Sequence, residues 1–179
     1  IQIPYIYCLL FGTLISPTDP IVVLGILKQA KVPKLIETKI TGESLFNDGV
    51  AVVMFAVVLQ VATNTNFEVS WQSISLLFLE EAGGGVLLGL VLGFSASKAL
   101  KKIDDYKVSA LITLSIVMGG FLIAKELHVS SPLAMVIAGL IIGNYGQKVA
   151  MSETTKDYLN KFWELIDEIM NAVLFLFIG

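Results

Sequence analysis

The sequence predicts an all-α membrane protein of about six transmembrane segments, one of them discontinuous. Three observations lead there. The 179 residues are 55% apolar and only 15% charged, whereas soluble domains average about 45–50% apolar and about 25% charged. The apolar residues gather into runs near the length needed to cross a bilayer, about 20 residues. The positive side chains alternate between the connections as a membrane topology requires. The implied partner is the lipid bilayer. A net charge of −3 without a basic stripe gives no footprint for nucleic acid.

The segments follow in order. The first covers 3–27 and is interrupted by "SPTDP". The second covers 42–62. The third covers 82–97, with an interfacial turn over 71–81 before it. The fourth covers 108–124 and the fifth 130–146. The sixth starts near Phe162 and is still apolar at Gly179. The chain opens at Ile1 inside one apolar run and stops inside another. It therefore reads as 1–179 of a longer transmembrane domain, with no separate soluble domain.

The chain has no arginine, and eleven of its twelve lysines lie on alternate connections. Lys28, Lys31, Lys34 and Lys39 follow the first segment. Lys98, Lys101, Lys102 and Lys107 follow the third. Lys148, Lys156 and Lys161 follow the fifth. A positive-inside bias makes the connections 28–41, 98–107 and 147–162 cytoplasmic.

Glycines recur every four residues at Gly85, Gly89 and Gly93, and again at Gly139 and Gly143. Small residues at that spacing let helices approach closely in lipid, so both sets are expected at helix contacts. The single cysteine, Cys8, excludes a disulfide within the chain and reads as a buried, inert thiol.

Two motifs carry the chemistry. In "SPTDP", Pro17 and Pro20 each lack an N–H and clash with the preceding turn. Ser16 and Asp19, each before a proline, lean extended. Asp19 followed by Pro20 is a helix-start signal. The expectation is a half-helix, an extended link across Ser16–Pro20, and a second half-helix. Unwound backbone at membrane depth is tolerated inside protein or beside water, and transporters place such breaks at their binding sites. A proline-kinked span with a capped aspartate is the plainer alternative from this motif alone.

The second motif is "GESLFNDG" at 42–49. Helix neighbours lie three or four residues apart, so Ser44 and Asp48 share one face, and Glu43 and Asn47 share the next. An aspartate near the centre of a span costs about 2.5–3.5 kcal/mol, and such residues usually mark ion or proton pathways. Asp48 has room for a proton or a small cation but not both. Ser44 and a carbonyl of the broken helix supply neutral oxygens. The outcome is one site at which protons and monovalent cations compete. Alternating access to such a site gives exchange.

Together "ISPTDPI" at 15–21 and "GESLFNDGVAVV" at 42–53 resemble the monovalent cation:proton antiporter-1 family of sodium/proton exchangers, its bacterial members in particular. "SPLAMVIAGLIIGNYG" at 131–146 and "FWELIDEIMNAVLFLFIG" at 162–179 extend the resemblance over nearly the whole chain. It implies part of a thirteen-helix, inverted-repeat antiporter, usually a homodimer, in a bacterial inner membrane. The family exchanges Na⁺, K⁺ or Li⁺ for H⁺ and needs no cofactor. By this resemblance Asp48 exchanges ion and proton, while Thr18 (through its carbonyl) and Ser44 give oxygens to the monovalent cation. Asp19 acts nearby through water. Asn47, where electrogenic relatives carry a second aspartate, marks electroneutral exchange. Glu43 is structural and pairs with an arginine on a later helix, absent from these 179 residues.

Other polar residues read more simply. Glu80 and Glu81 form an interfacial pair, and His128 is a loop residue. Glu164, Asp167 and Glu168 open the sixth segment, as a water-facing helix start or a cation funnel. Trp71 and Trp163 suit membrane interfaces. Other classes fit poorly. An intramembrane hydrolase using Asp19 and Asp48 would carry Tyr-Asp and Gly-x-Gly-Asp motifs, which do not occur. One histidine and no HExxH leave no zinc set. A cation channel would be expected to show a carbonyl filter such as TVGYG, and none is present.

Overall fold

The computed structural model describes residues 3–18, 33–63, 70–147 and 151–178. All regular structure among them is helical. The helices are α1 (Tyr5–Ile15), α2 (Lys34–Thr63), α3 (Trp71–Leu100), α4 (Tyr106–Glu126), α5 (Ser131–Ile141) and α6 (Glu153–Ile178). A π-helical turn, Ile142–Gly146, continues α5. Three stretches, Leu35–Thr63, Trp71–Leu100 and Tyr106–Glu126, are long and apolar enough to cross a membrane. Tyr5–Ile15 and Ser131–Gly146 are shorter apolar helices. The first sixteen residues of α6, 153–168, carry Glu153, Lys156, Asp157, Lys161, Glu164, Asp167 and Glu168. These charges account for α6 falling outside the three.

Three segments differ from expectation. Residues 71–81 are not a separate interfacial turn, because α3 is continuous from Trp71. Ser70 caps it by accepting from Ser73 N. Ile74, Leu77, Phe78, Ala82 and Val86 then hold it against Val53 and Val57 of α2 and Leu133 of α5. At 1.5 Å per residue, its 30 residues span about 45 Å, well beyond a hydrocarbon core of about 30 Å. Likewise α2 starts at Lys34 rather than near residue 42, and α6 starts at Glu153 rather than near Phe162.

Capping side chains set the other starts. Asp105 Oδ1 accepts from Lys107 N at 2.8 Å and Val108 N at 3.2 Å, opening α4. Ser130 caps α5, with Pro132 in its first turn. The end of α4 is a Schellman turn. Val129 N donates to Ala124 O and His128 N to Lys125 O, with His128 at φ 55°. Ser130 N then donates to Glu81 O, tying this turn to α3. His128 thus has a geometric job in the left-handed position.

The glycine expectation divides. On α3, a Cβ at Gly85 would lie 2.8 Å from Ser130 O. At Gly89 it would lie 2.5 Å from Ala134 O, and at Gly93 2.8 Å from Ile141 Cβ. Only glycine permits the approach of α3 to α5. Gly139 and Gly143 do not behave this way. A Cβ at either meets nothing within 4 Å, so neither seats a helix among the described residues. The equal spacing misled because it reports a small face but not whether a partner lies on it.

A second core joins Ala96 and Leu100 of α3 to Ile142, with Ile112 and Ile116 of α4 and Met151 beside them. Asp104 Oδ1 accepts from Ser152 Oγ at 2.7 Å and Thr155 Oγ1 at 3.2 Å. This pins the start of α6 to the connection before α4. Trp163 turns inward, its Nε1 donating to Thr113 Oγ1 at 3.2 Å, whereas Trp71 is exposed.

Candidate ion-binding site

The helix α1 stops at Ile15, one residue before Ser16-Pro17, as the proline clash dictates. Ser16 Oγ turns back to Thr13 O at 3.0 Å. Ser16 keeps helical dihedrals, φ −74° and ψ −25°, and not the extended ones expected before a proline; the chain leaves the helix after it, freeing the backbone groups of Thr18. The second half-helix expected after Pro20, and Asp19 itself, lie outside the described residues.

Thr18 meets three α2 side chains named from the sequence. Its N–H donates to Asp48 Oδ1 at 3.0 Å. Its carbonyl accepts from Ser44 Oγ. Its hydroxyl lies 3.4 Å from Ser44 Oγ and accepts from Asn47 Nδ2 at 3.3 Å. One residue of unwound chain therefore binds a hydroxyl, an amide and a carboxylate within about one turn of α2. Ser44 is buried and Asp48 half-buried, while Asn47 and Glu43 are exposed. Glu43 makes no ion pair among the described residues.

The arrangement is specific in its chemistry. The Thr18 N–H is a donor freed by the break, and it points at the one carboxylate. The Thr18 carbonyl and Ser44 hydroxyl are neutral oxygens beside it. Among the described residues the site holds one carboxylate beside neutral oxygens, which suits one positive charge, either a proton on Asp48 or a hard monovalent cation. As it stands, the Thr18 backbone groups are already satisfied by Asp48 and Ser44. Ser44 donates to the carbonyl that would otherwise face an ion.

Next to Asp48, Gly49 sits on the opposite, buried side of α2, where an added Cβ would lie 3.2 Å from Leu133 Cδ1. Gly49 thus lies where the ion-bearing helix meets a side chain of α5, which the sequence reading missed. The missed signal was a glycine directly after the aspartate. On the other side a cavity of about 320 Å³ lies between α1 and α2. Cys8, Gly12, Thr13, Ser16 and Asn47 contribute to its wall. Cys8 is exposed there, contrary to the buried thiol expected. An apolar run marks a membrane segment, not which of its faces has a neighbour.

Comparison with known proteins gives the family. The family model described as sodium/hydrogen exchanger, transmembrane, matches residues 1–179. The Na(+)/H(+) antiporter NhaP of Pseudomonas aeruginosa is 55% identical over 178 residues, covering 99% of this chain and 42% of its own length. The Na(+)/H(+) antiporter NhaH of Halobacillus dabanensis is 39% identical, over 100% of this chain and 45% of its own length. The low-affinity Na(+)/H(+) antiporter NhaS1 of Synechocystis is 36% identical, over 92% and 31%. The chain spans less than half the length of these relatives.

Proposed function

Because the chain belongs to the sodium/hydrogen exchanger transmembrane family, we propose that its full-length protein is a secondary antiporter, not an enzyme. It exchanges a monovalent cation, Na⁺ first, for H⁺. The observation that carries this reading is the convergence of Asp48, Ser44 and Asn47 on the unwound Thr18. The names of the relatives support the choice of sodium.

The mechanism is competition. With Asp48 ionised, a cation enters beside its carboxylate, and the Ser44 hydroxyl turns from the Thr18 carbonyl so that both oxygens face the ion. When a proton reaches Asp48, the negative charge that held the cation is gone, and the cation leaves. Proton or cation, but not an empty charged site, permits the change of access between the two sides. Asp19 lies next to Thr18 in the chain and acts through water. Glu43 awaits its arginine from the remainder of the protein, which works as a homodimer in the plasma membrane. The lysine pattern supports cytoplasmic placement of 28–41, 98–107 and 147–162, and exchange of this kind would serve pH homeostasis.

Asn47 sets the charge balance. Its neutral amide donates to Thr18 Oγ1 and adds no second titrating group, so one proton moves per monovalent ion. In proteoliposomes of the full-length protein, sodium-driven proton flux should not respond to an imposed membrane potential. With Asn47→Asp, the same flux should become potential-dependent or fall. Equal potential dependence in both proteins would remove Asn47 from the stoichiometry.

A further inference from the structure

Ser44 departs from the habit of the other helical serines. Ser75, Ser97 and Ser115 each donate to the carbonyl four residues back on their own helix, a bond that serine readily makes inside a helix. Ser44 instead reaches across to α1 and donates to the Thr18 carbonyl. Its side chain is buried, with 5% exposure, and a buried donor seldom goes without an acceptor. Cation binding breaks that bond, because the ion takes the Thr18 carbonyl. The Ser44 proton then needs another acceptor.

Three acceptors come into question. The Asp48 carboxylate has to face the cation, and it already accepts the Thr18 N–H at 3.0 Å. The carbonyl of Ile40, one turn back on α2, would draw Ser44 Oγ away from Thr18 and from the ion. Thr18 Oγ1 is the third, 3.4 Å from Ser44 Oγ. A hydroxyl has one proton to give and two lone pairs with which to accept. One lone pair of Thr18 Oγ1 takes the Asn47 amide at 3.3 Å, and its proton is directed at Ser44 Oγ. The second lone pair is open among the described residues.

The geometry points to the reversal of this one hydrogen bond as the step that admits the cation. In the empty site Thr18 Oγ1 donates to Ser44 Oγ, and Ser44 Oγ donates to the Thr18 carbonyl. In the loaded site Ser44 Oγ donates to Thr18 Oγ1, so that Ser44 Oγ and the carbonyl both turn lone pairs to the ion. The Thr18 proton swings out to water, which its exposed side chain can reach. Asn47 holds Thr18 Oγ1 in place through both states. The Thr18 hydroxyl is thus a positioning residue. It acts through Ser44, by taking the proton that would otherwise stand in the cation's way. Resting on the antiport reading, this gives the Thr18 side chain a role beside that of its carbonyl.

Sodium-dependent proton exchange by the full-length protein in proteoliposomes tests it. Thr18→Val keeps the shape and both backbone groups of residue 18 and removes the hydroxyl. The half-saturating sodium concentration should rise about fivefold, the size of one neutral hydrogen bond. Thr18→Ser returns the hydroxyl and should bring the value back toward that of the parent. In a Ser44→Ala background no proton needs an acceptor, so adding Thr18→Val should raise the value by less than about twofold. Should valine prevent folding, Thr18→Ala removes the same hydroxyl with less bulk and should give the same pattern. An unchanged half-saturating sodium concentration in Thr18→Val overturns the inference and leaves the antiport reading standing. That reading fails on a different result, Asp48→Asn exchanging like the parent. A rise that persists in full in the Ser44→Ala background also overturns the inference, because the hydroxyl would then serve Asn47 alone.

Discussion

Asp48→Asn in the full-length protein should reduce sodium-coupled proton flux in proteoliposomes to the level of empty vesicles. Asparagine keeps the shape of aspartate, and its carbonyl oxygen can still accept the Thr18 N–H that Asp48 Oδ1 now accepts at 3.0 Å. The local fold should therefore survive. What is lost is the charge. Two unit charges at 4 Å attract by about 4 kcal/mol at an effective dielectric of 20, close to a thousandfold in binding. The amide also cannot carry the returning proton, so both halves of the cycle fail together. Ser44→Ala removes one neutral oxygen and should be milder. A hydrogen-bonding or ligand contact to a charged group contributes about 1.5–3 kcal/mol. At the lower figure, the half-saturating sodium concentration rises on the order of tenfold. Residual exchange in Asp48→Asn equal to that in Ser44→Ala would mean that Asp48 is not the exchanging group.

Gly89→Ala should be the most destabilising of the glycine-to-alanine changes. A Cβ there would fall 2.5 Å from Ala134 O and 2.7 Å from Ile137 Cβ. The first of these is backbone, which cannot rotate away, so α3 and α5 must separate. Overpacking of this kind costs about 1–3 kcal/mol and occasionally more. The effect should reach Leu133, which α5 presents to Val53 and Val57 of α2. Thermal unfolding of the purified full-length protein in detergent, followed by tryptophan fluorescence, checks it. Gly89→Ala should melt several degrees below the parent protein. Gly139→Ala, with nothing within 4 Å of its Cβ, should melt with the parent. Equal melting of the two variants would contradict the α3–α5 packing.

Local chemistry was the legible part of this chain. Pro17 and Pro20 foretell that α1 must end, and it does at Ile15. The four-residue spacing of Ser44 and Asp48 foretells a shared face, because an α-helix fixes it. Family resemblance, not spacing, paired Thr18 with that face. The residues are 26 to 30 positions apart, and no local rule brings α1 beside α2. The same limit hid the tie of Asp104 to Ser152 and Thr155, 48 and 51 positions away. The glycines show the boundary most clearly. Gly85, Gly89 and Gly93 share their spacing with Gly139 and Gly143, yet among the described residues only the first set is packed against a helix. His128 reads as a plain loop residue for another reason. Its left-handed backbone closes a turn that glycine usually closes, so nothing in its side-chain chemistry announced the role.

The central claim is that cation and proton compete for one carboxylate. It is tested most directly by measuring sodium-dependent exchange in proteoliposomes of the full-length protein across a series of pH values. The account predicts that the half-saturating sodium concentration rises as pH falls, while the maximal rate at saturating sodium stays the same. A sodium affinity independent of pH, with only the maximal rate changing, would place the proton at a different site and contradict it.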